Sequence, residues 1–183
     1  MSKLVAINCG HGTMTNGKWD SGCTYGNFTE AGLMLPITES AVRYLRGSGV
    51  KVQTDAFTGN NRNMVADVCL ANRTNADIYV SIHCDYEKAP SGTIPLYVSG
   101  QGKKLAARMN KYVRKYTGIK TRGLCKRNDL YELNATGGVA CIFECGSIKY
   151  DLKKFKNDYD NFGKGIARGI CSYLGVKFTG KKK

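Results

Sequence analysis

Short apolar runs recur along the chain and predict strands that are buried on both faces. The clearest runs are residues 4–7, 78–82 and 139–143, which read Leu-Val-Ala-Ile, Ile-Tyr-Val-Ser-Ile and Val-Ala-Cys-Ile-Phe. Runs of this kind, rich in β-branched residues, are typical of strands inside a parallel or mixed sheet. Residues 50–54 and 93–99 add two shorter candidate strands.

Apolar residues recur at helical spacing in the segments between these strands. The stripes lie around residues 41–45, 64–72, 105–116 and 155–174. Pro36 precedes the first stripe, and a proline in a helix interior costs about 3 kcal/mol. We therefore expect the first helix to begin near Leu35, with Glu30 on the preceding loop or a first short turn.

The alternation of strands and helices predicts the fold class. It indicates a single α/β domain with a mixed, largely parallel twisted sheet flanked by helices on both faces. A chain of 183 residues accommodates one core of ordinary size. We expect the domain to cover residues 1–176 and residues 177–183 to form a basic tail or a truncated linker.

Candidate chemistry appears where three of the apolar runs end. The chain has two histidines, His11 and His83, and each follows such a run; Glu144 follows a third. Ligands collect at the carboxyl ends of strands in open α/β sheets, and imidazole suits zinc and other first-row metals. The pattern favours metal-assisted hydrolysis. Structural histidines with hydrogen bonds and a paired or capping glutamate are the alternative at this point.

Three motifs carry a family resemblance. Asn8-Cys9-Gly10-His11-Gly12 resembles the first motif of the zinc-dependent N-acetylmuramoyl-L-alanine amidases of the amidase-3 type, which usually reads Asp-Pro-Gly-His-Gly. Residues 72–85, which contain Ala-Asp-Ile-Tyr-Val-Ser-Ile-His at positions 76–83, resemble the second motif, and residues 142–148 resemble the third. The order and spacing of the motifs agree from about residue 3 to residue 174.

The resemblance implies a role for each of four residues. His11 and His83 match the two histidine ligands of the family's zinc ion, one Zn²⁺ per chain. Glu30 matches the third ligand, with Glu39 as its nearest competitor. Glu144 matches the catalytic glutamate, which does not bind the metal. The implied reaction is cleavage of the amide bond between N-acetylmuramic acid and the L-alanine of the stem peptide in peptidoglycan.

The chain also departs from the family pattern. Asn8 and Cys9 replace an acidic residue and a proline, and Asp55 and Asp67 stand where arginines are common; Arg62 or Arg73 could substitute. We expect four other acidic residues to serve as caps, turn residues or surface charges: Asp20, Asp77, Asp85 and Glu132. Of these, Asp85 could instead orient a ligand histidine. Arg127 and Asn128 are candidates for stabilising the oxyanion.

The charge and the cysteines refine this interpretation. The formal net charge is +14, from 28 basic and 14 acidic residues, and a positive surface attracts polyanions. For a wall hydrolase we expect an anionic wall polymer and not nucleic acid, because Tyr112 and Tyr116 fall on an apolar helix face and offer no base-stacking platform. The eight scattered cysteines predict reduced thiols. Those beside the site, Cys9, Cys84 and Cys145, are expected to be apolar packing residues.

These observations lead to one functional prediction and several rivals. No apolar run is long enough for a membrane span, and because Met1-Ser2-Lys3 leads straight into a predicted strand, we expect no signal peptide. We expect a phage or prophage endolysin made in the host cytoplasm and acting on the bacterial cell wall. The alternatives are an exported or spore-associated wall amidase, a cysteine hydrolase, and a basic non-catalytic module that binds polyanions. The oligomeric state is not predicted.

Overall fold

The structure, a computed structural model, describes residues 3–14, 16–57 and 63–183. Within these residues it contains the following elements in chain order: β1 Leu4–Cys9, β2 Gly12–Thr13, β3 Trp19–Asp20, β4 Thr24–Tyr25, β5 Phe28–Thr29, α1 Glu30–Gly47, β6 Lys51–Gln53, α2 Met64–Arg73, β7 Ile78–Asp85, β8 Ile94–Tyr97, α3 Gly100–Thr117, β9 Cys125–Lys126, α4 Tyr131–Ala135, β10 Val139–Ser147 and α5 Leu152–Leu174. Arg62, one of the two candidate substitutes for the family's arginine, lies outside the described residues.

Six strands form the central sheet in the order β6-β1-β7-β10-β8-β9. Strands β6, β1, β7 and β10 are parallel to one another, whereas β8 runs antiparallel to β10 and parallel to β9. The two small hairpins β2–β3 and β4–β5 lie outside this sheet. The prediction of an α/β domain with a mixed, largely parallel sheet is confirmed.

Helices cover both faces of the sheet, and the alternation of side chains along each strand decides what each face carries. Ile7, Ile82 and Phe143 pack into the larger core, with α1, α3 and α5. Tyr79 and Ile142 belong to the smaller core on the opposite face, with α2 and α4. Because successive side chains on a strand point to opposite faces, Asn8, His83 and Glu144 lie on the side of the smaller core. The polar residues at the strand ends therefore share one face of the sheet.

The start of the first helix differs from the expectation. Helix α1 begins at Glu30 and contains Pro36 within it, so the prediction of a start near Leu35 is wrong. The Thr29 hydroxyl caps the helix by accepting a hydrogen bond from the Gly32 amide. Backbone amides of Glu30 and Ala31 donate to loop carbonyls of Cys23 and Ser21. These contacts and the burial of the first turns offset the local cost of the proline.

Residues 177–183, expected to form a basic tail or linker, lie against the domain. Phe178 packs on the larger core beside Tyr44, with ring centroids 5.9 Å apart. The Thr179 hydroxyl donates to the Gly47 carbonyl, and the Lys182 ammonium lies 2.6 Å from the Asp160 carboxylate. The expected boundary at residue 176 stays a prediction. Among the residues described, no helix combines the length and apolarity needed to cross a membrane.

Candidate metal centre and active site

His11 is placed by a backbone conformation that few residues adopt. It follows β1 with a φ of 61°, in the left-handed region that costs energy for residues with a side chain. Its Nδ1 lies 2.9 Å from Asp20 Oδ2, and the pairing of Gly12 with Asp20 in the β2–β3 hairpin brings that carboxylate alongside. The conformation turns the imidazole back over the carboxyl ends of the strands.

His83 lies next to His11, near the end of the adjacent strand β7. The two ring centroids are 5.1 Å apart and the rings are nearly perpendicular. A Cβ atom on Gly10 would come within 2.3 Å of the His83 ring. Only glycine leaves room for the two imidazoles to approach in this way, which explains why Gly10 precedes His11.

Glu30 joins the two histidines from the first turn of α1. Its Oε1 lies 2.9 Å from His83 Nδ1, and its Oε2 lies 3.3 Å from His11 Nε2. The backbone amides of Cys84 and Cys23 donate one hydrogen bond to each oxygen. Ligand atoms of His11, Glu30 and His83 all lie within 4.8 Å of one another. The structure thus brings together the three residues that the resemblance implied as ligands.

Charge coupling within this group is strong. Burial favours a neutral Glu30, but the hydrogen bonds from both imidazoles hold the pKa of its carboxyl well below the usual range. Burial also works to lower the pKa of His83, yet Glu30 and the charge of Glu144 raise it to about 10. The His11 pKa is raised in the same way, with Glu30 outweighing burial. An ionised, buried carboxylate that stabilises the positive charge of two neighbouring imidazoles would stabilise a metal cation at the same place.

The nitrogens that face away from Glu30 also have partners. His11 Nδ1 contacts Asp20, and His83 Nε2 lies 2.9 Å from the Ser81 hydroxyl. Imidazoles that bind metals usually make such an outer hydrogen bond, which fixes the ring orientation and the tautomer. The donor set, two imidazoles and one carboxylate, is one that zinc takes in catalytic sites. The residues present therefore fit a zinc ion.

Two acidic residues lie closer to the site than expected. Asp20 was expected to be a cap, turn or surface charge; its Oδ1 accepts a hydrogen bond from the Gly22 amide, as a turn residue does, and its Oδ2 also contacts a candidate ligand, His11. Glu132 is buried, accepts a hydrogen bond from the Tyr79 hydroxyl at 2.7 Å, and lies 3.9 Å from His83 Nε2. No periodic pattern in the sequence marks either contact, because both depend on the tertiary fold. The four-residue spacing of Tyr79 and His83, which places both on one strand face, is the only sequence hint.

The remaining candidates lie in ion pairs or on the surface. Asp77 pairs with Lys3 and Asp85 with Arg122, so Asp85 does not orient a histidine. Glu39 pairs with Arg43 one helical turn away, clear of the metal group. The Arg127 side chain pairs with Asp129, and Asn128 is exposed.

Glu144 stands beside the metal group on the neighbouring strand. It is in register with His83 between β10 and β7, so both side chains project from the same face. Its Oε2 is buried and has no hydrogen-bond partner among the described residues. Burial raises the pKa of this carboxyl to about 7, with the charges of Glu30 and Asp85 adding to the effect and His83 opposing it. A carboxyl with this pKa can take up and release a proton near neutrality.

A second group of donor atoms, from Cys23, Glu30 and Cys84, shares the Glu30 carboxylate with the first. Contact with the Cys23 thiol and burial raise the pKa of Cys84, which keeps it protonated, and a protonated thiol binds metals poorly. Cys9, Cys84 and Cys145 are all buried in the larger core. Their surroundings support the interpretation of apolar packing residues.

A cavity of about 210 Å³ adjoins the two imidazoles and is lined by Met14, Met64 and Glu132 among others.

Comparisons with known proteins agree with this geometry. A family model described as N-acetylmuramoyl-L-alanine amidase matches residues 5–172. An uncharacterised 38.4 kDa protein of Clostridium perfringens is 34% identical over an alignment of 129 residues, which covers 65% of this chain and 37% of that relative's length.

Solved structures match over nearly the whole chain. The N-acetylmuramoyl-L-alanine amidase AmiC2 of Nostoc punctiforme superposes with a TM-score of 0.84 at 26% identity, covering 94% of this chain and 97% of that one. The N-acetylmuramoyl-L-alanine amidase of Clostridium difficile 630 gives a TM-score of 0.83 at 26% identity, covering 96% and 98%.

Proposed function

The chain belongs to the family of N-acetylmuramoyl-L-alanine amidases, and from that membership we propose that it cleaves the amide bond between the lactyl group of N-acetylmuramic acid and the L-alanine of the peptidoglycan stem peptide. One observation supports the proposal most directly. The ligand atoms of His11, Glu30 and His83 lie within 4.8 Å of one another, one strand away from the buried carboxyl of Glu144.

In this proposal His11, Glu30 and His83 hold one zinc ion. When bound, zinc supplies a Lewis acid that polarises the scissile carbonyl and makes the attacking water more acidic. The chain's own contribution is to keep the donor atoms fixed and correctly charged. Asp20 and Ser81 hold the two rings, and the low pKa of Glu30 keeps its carboxylate ionised.

Glu144 acts as the general base and then as the general acid. Its ionised carboxylate takes a proton from the attacking water and later donates a proton to the leaving amine of the stem peptide. Burial supplies the driving force, because the carboxyl accepts a proton more readily than an exposed glutamate does. Because its pKa is about 7, a large fraction of the side chain is also ionised at neutral pH and can begin the cycle.

The biological setting in this proposal is that of a phage or prophage endolysin. The protein folds in the host cytoplasm and acts on the bacterial cell wall at lysis, where it also meets anionic wall polymers. All eight cysteines are free and five of them are buried, which supports folding in a reducing compartment. An exported or spore-associated wall amidase is the alternative. If the endolysin proposal is correct, producing this protein inside a bacterium and then permeabilising the membrane should lyse the host promptly.

The amidase proposal is tested on purified peptidoglycan. We expect the protein to release new amino-terminal L-alanine without new reducing sugar ends, a chelator to stop the release, and added zinc to restore it. Cleavage of the glycan or of a peptide bond within the stem would show that the assigned bond is wrong. Binding to walls without any release would favour the basic, non-catalytic module.

A further inference from the structure

The outer face of α3 carries an unusual density of positive charge. Six basic residues lie on it, all exposed: Lys103, Lys104, Arg108, Lys111, Arg114 and Lys115. At 100° per residue these positions fall within about 140° of the helix surface, opposite the buried side, and span about 18 Å along the axis. The helix contains no aspartate or glutamate.

This arrangement is unfavourable for the helix itself. Lys104 and Arg108, and Lys111 and Lys115, are like charges four residues apart, which destabilise a helix. Lys103 and Lys104 come soon after the helix N-terminus, where the macrodipole favours negative charge. A local conflict that persists in a fold points to a compensating function.

The remainder of the described protein does not neutralise these charges. No ion pair of the described residues includes any of the six, whereas Lys3, Arg122 and Lys182 each have a carboxylate partner. Two of the six lie over aromatic rings, Lys103 over Tyr97 and Lys111 over Tyr112.

The helix also leads toward the catalytic edge of the sheet. Beyond its C-terminus, the Lys120 carbonyl accepts a hydrogen bond from Thr93, and Arg122 pairs with Asp85 at the end of β7. Asp85 is two residues from His83 on that strand. A long polyanion lying on α3 would therefore reach the edge that holds the candidate metal group.

We propose that the outer face of α3 binds an anionic phosphodiester polymer of the bacterial wall and so holds the domain against its substrate. The choice of a wall polymer rests on the proposed amidase function. Nucleic acid fits the surface less well, because none of the exposed large aromatic residues in the described chain lies on α3, and unpaired bases bind by stacking on such rings. The evenly spread charge suits a flexible polymer with repeated phosphates.

Two matched variants of the full chain test the proposal. The first replaces Lys104, Arg108, Arg114 and Lys115 with glutamine, which is a good helix former. The control replaces Lys18, Lys51, Lys88 and Lys183, which are exposed and scattered, with glutamine as well. Each variant lowers the net charge of +14 by four. Affinity for the soluble, purified wall polymer is measured at several salt concentrations, with duplex DNA as a second ligand.

We expect the α3 variant to lose about tenfold or more in affinity for the polymer and to show a shallower salt dependence, because fewer counterions are released. The control should stay within about twofold of the wild type at physiological salt, where distant charges are screened. Equal losses in the two variants would overturn the proposal, since net charge alone would explain them. Tighter binding to DNA than to the polymer would overturn it as well.

Amide cleavage on walls stripped of the polymer separates this proposal from the amidase function. All three proteins should cleave stripped walls at the same rate, and only the α3 variant should lose rate when the polymer is restored. Failure of the wild type to cleave stripped walls would count against the amidase proposal and leave the binding result standing. A lower rate of the α3 variant on stripped walls would assign α3 to substrate binding and overturn the polymer proposal.

Discussion

The imidazole of His11 and the carboxylate of Asp20 lie 2.9 Å apart, between Nδ1 and Oδ2. Since an ionised carboxylate only accepts hydrogen bonds, Nδ1 carries the proton and Nε2 is the nitrogen that faces Glu30. Asp20 thereby fixes both the orientation and the tautomer of a candidate metal ligand. The hydrogen bond with His11 in turn lowers the pKa of Asp20.

Removing this partner should weaken metal binding without removing a ligand. We expect Asp20→Ala to lower zinc affinity by about 10- to 100-fold, the usual effect of losing an outer partner of a ligand histidine. Competition with a chromophoric chelator measures it. Asp77→Ala, which removes a surface carboxylate paired with Lys3, is the control and should bind zinc normally. Equal zinc affinity in the two variants would show that Asp20 does not position His11.

Gly10 tests the close approach of the two histidines. A Cβ atom there would lie 2.3 Å from the His83 ring, so Gly10→Ala must displace the imidazole or the strand. We expect loss of zinc binding together with a lower melting temperature, since overpacking typically costs about 1–3 kcal/mol. Gly100→Ala, at a position where a Cβ meets no atom within 4 Å, should change neither. Normal zinc binding by Gly10→Ala would show that the His83 ring does not lie against Gly10 when it binds the metal.

Zinc binding should release protons near neutral pH. In the metal-free protein Glu30 helps to raise the His83 pKa to about 10, so this ring is protonated at pH 7 and must lose its proton before it can bind a metal. The apparent zinc affinity should therefore rise with pH until about pH 10. Calorimetric titrations in buffers with different ionisation enthalpies count the protons. Zinc binding without proton release would contradict the assignment of His83 as a ligand.

The thiols should be dispensable for catalysis. All four ring nitrogens of His11 and His83 face Glu30, Asp20 or Ser81, and none is left to activate a cysteine. The thiols that are not fully buried are those of Cys23, Cys69 and Cys125. We expect the triple serine variant to keep turnover within about twofold of the wild type, with unchanged zinc content. A fall in turnover of about 100-fold or more at normal zinc content would support the alternative of a cysteine hydrolase, since nucleophilic cysteines are not replaceable by serine.

The sequence predicts the longer strands and three of the four principal site residues because these depend on local patterns. Apolar runs place His11, His83 and Glu144 at strand ends, and parallel strands bring their ends to one edge. Glu30 could be assigned only through the family resemblance. The roles of the four residues stay predictions, although the structure brings His11, Glu30 and His83 together.

What the sequence did not predict depends on contacts between distant segments. Asp20 reaches His11 through a hairpin of two-residue strands, too short to leave a periodic signal. Glu132 meets Tyr79 across 53 positions of the chain. The predicted start of α1 was wrong because the penalty of Pro36 can be read from the local sequence. The Thr29 cap and the loop carbonyls that offset this penalty come from the folded chain.

Glu144→Gln is the most direct test of the mechanism. The substitution keeps the shape of the side chain but cannot take up or release a proton, and general acid–base catalysis contributes about 10²–10⁴-fold. We expect turnover to fall by at least that range while zinc content stays unchanged. The acidic limb of the kcat/KM profile, which reports the ionisation of Glu144, should disappear from the residual activity. Glu87→Gln, at an exposed position, is the matched control.

Stability distinguishes a catalytic Glu144 from a structural one. Its pKa is raised from 4.5 to about 7 in the folded protein, so folding favours the protonated form, and this carboxyl makes the folded state less stable as pH rises from about 4.5 to 7. Glutamine is neutral at every pH and escapes that penalty. The metal-free Glu144→Gln protein should therefore melt no lower than the wild type above pH 7. A lower melting temperature combined with normal turnover per folded molecule would show that Glu144 holds the fold together and takes no part in the reaction.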